Sequence, residues 1–249
     1  MTDKQRRYDV VGIGNAIVDV LSHADDAFIA KEGLPKGGMT LLNEEQARAL
    51  YARSGPGTEC SGGSAANTIA GIASLGGRTA FIGRVHKDQL GDVFTHDIRS
   101  LGVSFHTPPV DDGPPTARCL IFVTPDAERT MGTFLGASQG LIPQDIDRDL
   151  IKNAQVTYLE GYLWDPPQAK EAFLVAMDIA HAAGNKVALS LSDPFCVDRY
   201  RTEFRSLAEH HIDILFANEE ELKSLYETDD FDAALQHVRG HCEIAALTR

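Results

Sequence analysis

The sequence predicts an α/β fold in which a parallel β-sheet carries helices on both faces and a small β-rich lid is added to it. Three observations support this prediction. Short apolar runs typical of strands alternate with helical segments along most of the 249 residues. Two β-like runs, Ala117–Thr124 and Arg129–Leu135, flank a turn and interrupt that alternation as a hairpin would. A double glycine, Gly62 and Gly63, leads directly into a helix of small residues.

The individual elements follow from apolar runs and from the residues that begin and end helices. Strands are expected at Tyr8–Ile13, Thr79–Gly83, Val156–Glu160, Val187–Leu191, Ile214–Ala217 and Ile244–Thr248. Helices are expected at 43–51, Ser64–Leu75, Asp88–Leu101, Gln168–Ala183, Val197–Glu209, Glu219–Tyr226 and Asp230–Arg239. Asn43 is the predicted N-cap of the first helix, with Gln46 as its capping-box partner.

Two segments do not fit the βα alternation and are interpreted as the lid. The first, about 18–42, lacks a strong helix signal and contains several glycines. The second, about 115–136, holds the predicted hairpin. We therefore expect one α/β core over residues 1–249 with both lid segments inserted in it. The alternative is that they form irregular edges of the main sheet.

Composition limits the classes of function. The net charge of −13 argues against a broad nucleic-acid-binding surface. No apolar run is long enough for a membrane span, and the basic N-terminus enters a strand rather than a signal-type segment. The cysteines are far apart and form no CxxC pair, which is typical of reduced thiols: Cys60, Cys119, Cys196 and Cys242. We expect a cytoplasmic protein whose partner is a small molecule.

The segment around Gly62 and Gly63 is the first candidate binding site. Residues without a Cβ let a ligand approach the backbone, and the helix behind them offers free N–H groups at its positive end. Asn67, one turn inside the helix, adds a donor and an acceptor. This is typical of a floor for a hydroxyl-rich molecule, although a close-packed helix with no ligand would have the same pattern.

Polar residues also follow the predicted strands, at the edge where parallel sheets bind ligands. They are Asn15 and Asp19, Glu160 and Tyr162, Ser192 and Asp193, and Asn218 with Glu219 and Glu221. Asn218 is also an obvious helix N-cap with Glu221 as partner, so structural and functional interpretations both stand. Neither common nucleotide motif is present, because Ile17 replaces the third glycine of GxGxxG and no Walker A sequence occurs. An NAD-dependent oxidoreductase is disfavoured for the same reason.

Six motifs in order resemble the ribokinase-like (PfkB) carbohydrate kinase family, and within it the adenosine kinases. They are GNAIVDV (14–20), GGSAAN (62–67), AERTM (127–131), LEGYL (159–163), LSLSDPF (189–195) and DILFANEEE (213–221). The resemblance implies a Rossmann-like core with a β-lid. It implies transfer of the ATP γ-phosphate, with Mg²⁺, to a primary hydroxyl group, and the likeness to adenosine kinases points to the 5′-type hydroxyl of adenosine. Ribose, fructose or keto-sugar acids are the substrates of related enzymes and form the alternative.

The resemblance also implies roles for individual residues. Asp19 matches the acid that grips sugar hydroxyls, and Arg129 matches a basic lid residue near the transferred phosphate. Other substrate contacts are expected from Asn15, Gly62, Gly63, Ser64 and Asn67. A purine would be lined by Met39, Leu41, Phe134, Leu135 and Tyr162. The Mg²⁺ and phosphate element is expected at Asn218, Glu221 and Thr248, with Glu221 reaching the metal through water. Some relatives pair through the lid, so we expect a monomer or a homodimer.

The main departure from the family is the missing catalytic base. The resemblance implies an aspartate in a GAGD motif, and the sequence to Arg249 contains no such motif. We expect that the base lies beyond Arg249 and that the sequence is a fragment of a longer protein. The alternative is a non-catalytic module that binds a nucleoside or sugar.

Overall fold

A computed structural model describes residues 6–249 as two β-sheets with surrounding helices. The described residues form twelve strands: β1 Tyr8–Ile13, β2 Ile17–His23, β3 Met39–Leu41, β4 Gly57–Gly62, β5 Thr79–Ile82, β6 Ser104–Phe105, β7 Ala117–Val123, β8 Arg129–Phe134, β9 Ala154–Glu160, β10 Lys186–Ser190, β11 Ile214–Asn218 and β12 Ile244–Thr248. The α-helices of the same residues are α1 Asp26–Lys31, α2 Glu44–Arg53, α3 Ser64–Ser74, α4 Gln89–Ser100, α5 Arg148–Lys152, α6 Pro167–Ala182, α7 Pro194–His210, α8 Glu219–Tyr226 and α9 Phe231–Val238.

The larger sheet is parallel and has the strand order β12-β11-β10-β9-β1-β5-β6. One face is covered by α5 to α9, and its buried residues include Val11, Leu159 and Leu189. The other face packs against α3 and α4 near β1 and β5. Phe216 and Ile244, on β11 and β12, are 39% and 51% exposed. The predicted α/β class with helices on both faces is confirmed.

The smaller sheet is mixed and has the order β3-β8-β7-β2-β4. The hairpin expected from the sequence is present, because β7 and β8 pair antiparallel from Arg118 with Phe134 to Val123 with Arg129. One face, with Val20, Leu120 and Phe122, joins the same buried cluster as α4 and the core sheet. This is the β-rich lid.

Two parts of the lid and one helix of the core differ from the sequence prediction. The segment after Gly14 forms the regular strand β2, and α1 follows it with Asp25 as N-cap. β4 was not predicted, because its sequence GTECSG shows no apolar alternation and ends in glycine. In the core, α7 begins at Pro194 rather than Val197, since Asp193 accepts the Cys196 N–H as an N-cap.

No helix among residues 6–249 combines the length and the apolar character needed to cross a membrane.

Candidate active site

The polar strand ends predicted from the sequence meet at one edge of the core sheet. β1, β9, β10 and β11 are consecutive parallel neighbours, so the residues that follow them lie at the same edge. Asn15 follows β1, Glu160 ends β9, Asp193 follows β10 and Asn218 ends β11. The expectation that these side chains share an edge is confirmed.

Asp19 occupies a different place from the one expected at the core edge, because it lies inside the lid strand β2. Its direct neighbours across the sheet are Cys60 on β4 and Cys119 on β7, and directly paired residues point to the same face. Thr133 of β8 extends this row and donates its hydroxyl to Cys119 Sγ at 3.2 Å. We call the side of the lid that carries Asp19, Cys119 and Thr133 the Asp19 face.

The carboxyl group of Asp19 lies directly against Gly62. A Cβ at residue 62 would overlap the carboxyl carbon and both oxygens of Asp19, so only glycine leaves this space free. Burial raises the pKa of Asp19 to about 6. A half-buried carboxylate that has lost part of its hydration is well suited to accept hydrogen bonds from the hydroxyl groups of a ligand.

The backbone after Gly62 forms the start of α3. Gly63 has φ 101°, and a Cβ there would overlap the Asn15 carbonyl oxygen, so this turn also requires glycine. Gly63 is the N-cap of α3 and itself offers no side-chain acceptor to the first turn. Ser64 and Asn67 are exposed on its first turns. The two glycines match the sequence prediction, but the start of α3 is only partly open, because the buried Glu160 accepts the N–H of Ala65.

Asn15 is held inside the protein by a buried hydrogen-bond network. Glu160 Oε1 accepts from the Asn15 side-chain amide at 2.6 Å and from its backbone N–H at 3.3 Å. Asn15 Oδ1 accepts from the Ser138 hydroxyl at 2.8 Å and from the Gln139 amide at 3.2 Å. Both ends of the Asn15 amide are engaged, and Asn15 is only 1% exposed.

Sequence patterns indicate Glu160 only as a polar strand end and give no signal for Ser138 and Gln139, the other side chains of this network. Glu160 Oε2 also accepts the backbone N–H of Ala65 at 2.7 Å, one residue into α3. Burial raises the pKa of Glu160, and the hydrogen bonds from Ala65 and Asn15 oppose this shift. A carboxylate at the end of an apolar strand was the available signal for this network, but its partners are more than 90 residues away.

The five residues expected to line a purine do not all lie together. Met39 and Leu41 pair with Met131 and Thr133, which places them on the Asp19 face, where they are 44% and 59% exposed. Leu135 packs against the apolar cluster of that same face. Phe134 pairs with Arg118 and alternates with Thr133, so it points to the opposite side of the lid. Tyr162 packs against the core cluster, close to Asp193.

Asn218 and Glu221 form a complete capping box at the start of α8. Asn218 Oδ1 accepts the Glu221 N–H at 2.8 Å, and Glu221 accepts from the Asn218 backbone at 3.0 Å and its amide at 2.9 Å. Thr248 is the direct neighbour of Asn218 on β12. Burial, with the nearby Asp193, raises the pKa of Glu221. Within residues 6–249 no group of three or more His, Cys, Asp or Glu side chains could hold a metal ion directly.

Arg129 is not brought close to the other predicted residues. It begins β8 beside the hairpin turn and pairs with Val123, which in turn pairs with His23 at the end of β2. Ile17, Gly62 and Phe134 lie at the other end of the lid. Arg129 and Phe134 are five residue steps apart along the strand, or about 17 Å.

A comparison with protein families agrees with this architecture. The family model described as "pfkB family carbohydrate kinase" matches residues 50–247. The chain belongs to this family.

Two solved structures are similar over almost all of the chain. The adenosine kinase from Sinorhizobium meliloti is 55% identical with a TM-score of 0.89, and the similarity covers 97% of this chain and 74% of that one. A probable sugar kinase protein from Rhizobium etli CFN 42 is 53% identical with a TM-score of 0.90, covering 98% and 74%.

A curated relative is more distant. Probable fructokinase-3 of Arabidopsis thaliana is 27% identical over 177 residues, which are 69% of this chain and 51% of that protein. The chain spans about half the length of the curated relatives it matches.

Proposed function

We propose that the protein is an ATP-dependent kinase that phosphorylates the primary hydroxyl group of a nucleoside, with adenosine as the preferred substrate. The observation that carries this proposal is the contact between the Asp19 carboxyl group and the bare backbone at Gly62. A carboxylate can accept hydrogen bonds from two vicinal hydroxyls at once, as the ribose of a nucleoside presents them. Ser64 and Asn67 would reach the same ligand from the first turns of α3.

Two further observations support a nucleoside over a free sugar. The 55% identity with the S. meliloti adenosine kinase extends over 97% of the chain. Met39, Leu41 and Leu135 give the Asp19 face an apolar border, and two of these side chains are exposed. A purine needs flat apolar surface beside its hydrogen-bonding groups, whereas a free sugar does not.

ATP would supply the phosphoryl group, and Mg²⁺ would neutralise its phosphates. Asn218, Glu221 and Thr248 lie at the carboxyl edge of the core sheet and would face the Mg²⁺ and phosphates. Glu221 fits a position behind metal-bound water rather than direct ligation, because both its oxygens already accept hydrogen bonds from Asn218. Arg129 would reach the transferred phosphate only if the hairpin end of the lid moved towards it. We assign no catalytic base to residues 1–249.

A sugar kinase is the second candidate, and the similarity to the R. etli probable sugar kinase and to a fructokinase favours it. In that case the Asp19 carboxylate would accept hydrogen bonds from the hydroxyl groups of the sugar, and Met39, Leu41 and Leu135 would not contact the substrate. A non-catalytic module that binds a nucleoside or sugar without turnover is the third candidate.

The test of the binding part is a calorimetric titration of adenosine, 2′-deoxyadenosine, ribose and fructose into the protein and into Asp19→Asn. We expect adenosine to bind tightest and 2′-deoxyadenosine to bind about ten-fold more weakly, because one hydrogen bond to a charged group is lost. In Asp19→Asn the difference between the two nucleosides should largely disappear. The exposed Asp229 supplies the control variant Asp229→Asn, which should behave like the unmodified protein.

Equal affinity of the protein and of Asp19→Asn for adenosine would refute the assignment of Asp19. Tighter binding of fructose than of adenosine would favour the sugar kinase. Turnover is tested separately by AMP formation from adenosine, ATP and Mg²⁺. Adenosine binding without AMP formation would favour the non-catalytic module.

A further inference from the structure

The chain crosses between the core sheet and the lid at four places. Residues 14–16 join β1 to β2, residue 63 joins β4 to α3, residues 106–116 join β6 to β7, and the segment after Phe134 returns from β8 into the 3₁₀ turn Gly136–Gly140. The position of the lid relative to the core depends on how these crossings are fixed.

A single buried carboxylate of the core, Glu160, connects three of the four crossings. It accepts two hydrogen bonds from Asn15 in the first crossing and one from Ala65 just after the second. Asn15 then accepts from Ser138 and Gln139 in the fourth crossing. Glu160 and Asn15 are each 1% exposed. We call these five residues the crossing network.

The chemistry of the network requires an acceptor-only group at residue 160. Three N–H groups point at Glu160, two at Oε1 and one at Oε2. A carboxylate satisfies all three, whereas a glutamine would oppose one side with its own N–H₂. Burying a carboxylate costs free energy, and the three hydrogen bonds offset that cost.

A second, independent feature makes room for this carboxylate. A Cβ at Gly14 would overlap both the Glu160 carboxyl group and the Ala65 methyl group. The backbone of the first crossing therefore lies directly against Glu160 and the start of α3. A Cβ at Gly63 would likewise overlap the Asn15 carbonyl oxygen, so the first two crossings are packed against each other.

We propose that Glu160 is a positioning residue. It fixes the lid to the core through the crossings and thereby sets the position of the Asp19 carboxyl group relative to the backbone at Gly62 and Gly63. Asp19 is four residues beyond Asn15 on β2, and Gly62 is three residues before Ala65. A shift of either crossing would therefore move one of the two groups that contact each other. This inference rests on the proposed function for its effect on ligand binding, but the mechanical part stands on the crossings alone.

The mechanical part is tested by hydrogen exchange of the ligand-free protein and of Glu160→Gln. We expect faster exchange of the Asn15 and Ala65 amides and of β2 and β7, with α6 and β10 unchanged. The matched control is Asn185→Asp, which swaps an amide and a carboxylate at another buried site, where Asn185 donates to the carbonyls of Ile151 and Lys152. That variant should lose stability without a selective change at the crossings.

Unchanged exchange at Ala65, or an increase spread evenly over core and lid, would overturn the proposal. If Glu160→Gln does not fold, Ser138→Ala provides the milder test, because it removes one donor to Asn15 and leaves Gln139 in place. Its expected effect is faster exchange of residues 136–139. No change in this segment would again contradict the proposal.

The effect on ligand binding is tested by a rescue experiment. Asn15→Asp would place two carboxylates at the 2.6 Å separation of the present pair, and the N–H₂ of a glutamine at residue 160 must oppose an N–H of either Asn15 or Ala65, so each single variant should bind adenosine about ten-fold more weakly or worse. The double variant restores a side-chain donor facing a side-chain acceptor but leaves the backbone N–H of residue 15 opposed to the new N–H₂, so it should bind adenosine more tightly than either single variant without reaching the unmodified affinity. A double variant as weak as the singles would mean that Asn15 or Glu160 acts on the ligand directly. If the unmodified protein does not bind adenosine, the proposed function fails, while the exchange experiment still decides the role of Glu160.

Discussion

The Asp19 carboxyl group fills the space that a side chain at residue 62 would need. The two residues lie on neighbouring antiparallel strands, β2 and β4, at the end of the lid nearest the core. Gly62 is followed at once by Gly63 and α3, so Asp19 lies beside the N-terminus of that helix. This contact joins the lid, which supplies the charged group, to the helix that supplies the floor.

The substitution Gly62→Ala should damage this contact. The new methyl group would have to displace the Asp19 carboxyl group, and overpacking of this kind costs about 1–3 kcal/mol of stability. We expect a lower midpoint of urea unfolding and at least about ten-fold weaker adenosine binding, measured by calorimetry. Gly71→Ala is the matched control, because Gly71 is exposed in α3 and has no neighbour within 4 Å of its Cβ position. It should raise stability by about 0.5–1 kcal/mol and leave affinity unchanged. Identical behaviour of the two variants would be inconsistent with the contact.

Asp19 should reduce the stability of the ligand-free protein at neutral pH. Its pKa is raised from 3.8 to about 6, so the folded state holds the proton more tightly than the unfolded state and stability falls as the pH rises from about 4 to 6. At pH 7.5 the full cost is present, about 2–3 kcal/mol. Asp19→Asn should therefore be more stable than the unmodified protein at pH 7.5 in urea unfolding. The difference should vanish near pH 4, and a difference independent of pH would contradict the raised pKa.

Adenosine affinity should depend on the charge of Asp19. The ionised form accepts hydrogen bonds from both ribose hydroxyls, so affinity should be constant above pH 7 and fall about ten-fold per unit well below pH 6. The neighbouring thiols do not interfere, since burial raises the pKa of Cys60 and raises that of Cys119 to about 11. Calorimetric titrations between pH 4.5 and 8 give the profile. Asp19→Asn should give weak binding with a flat profile, and a fall of the same size in that variant would assign the titration to another group.

The variant Glu221→Gln separates the two roles available to the capping box of α8. A glutamine at residue 221 can still accept from the Asn218 backbone, but its N–H₂ then opposes the N–H₂ of Asn218, so the free energy of unfolding should fall by about 1–3 kcal/mol. The loss of charge should also weaken the binding of ATP with Mg²⁺, measured by calorimetry at several Mg²⁺ concentrations. An unchanged affinity for Mg²⁺ and ATP would leave Glu221 with the structural role alone.

The sequence predicted the core well because its signals are local. The strand Tyr8–Ile13 and the capping boxes of Asn43 and Asn218 each depend on residues that are close together in the sequence, and the structure contains all three. The parallel order of the sheet then places the strand ends at one edge without further information. The strand β4 gave no such signal, because GTECSG is polar and its pairing with β2 is set by tertiary contacts.

The site was predicted less completely than the fold. Side chains alternate between the two sides of a strand, so Phe134 and the next residue, Leu135, point to opposite sides of the lid. This separation can be predicted from the sequence once the hairpin has been predicted. The crossing network could not be predicted from the sequence, because Asn15 is 123 residues from Ser138 and 145 residues from Glu160 along the chain. No local pattern encodes a contact between side chains that far apart, and only the assembled crossings reveal it.

A crystal structure of the protein with adenosine would test the central claim most directly. The account predicts that both ribose hydroxyls lie within hydrogen-bond distance of the Asp19 carboxylate, with the base against Met39, Leu41 or Leu135 and the 5′-hydroxyl directed towards the carboxyl edge of the core sheet. Adenosine bound away from Asp19, or bound with its ribose hydroxyls in solvent, would contradict it.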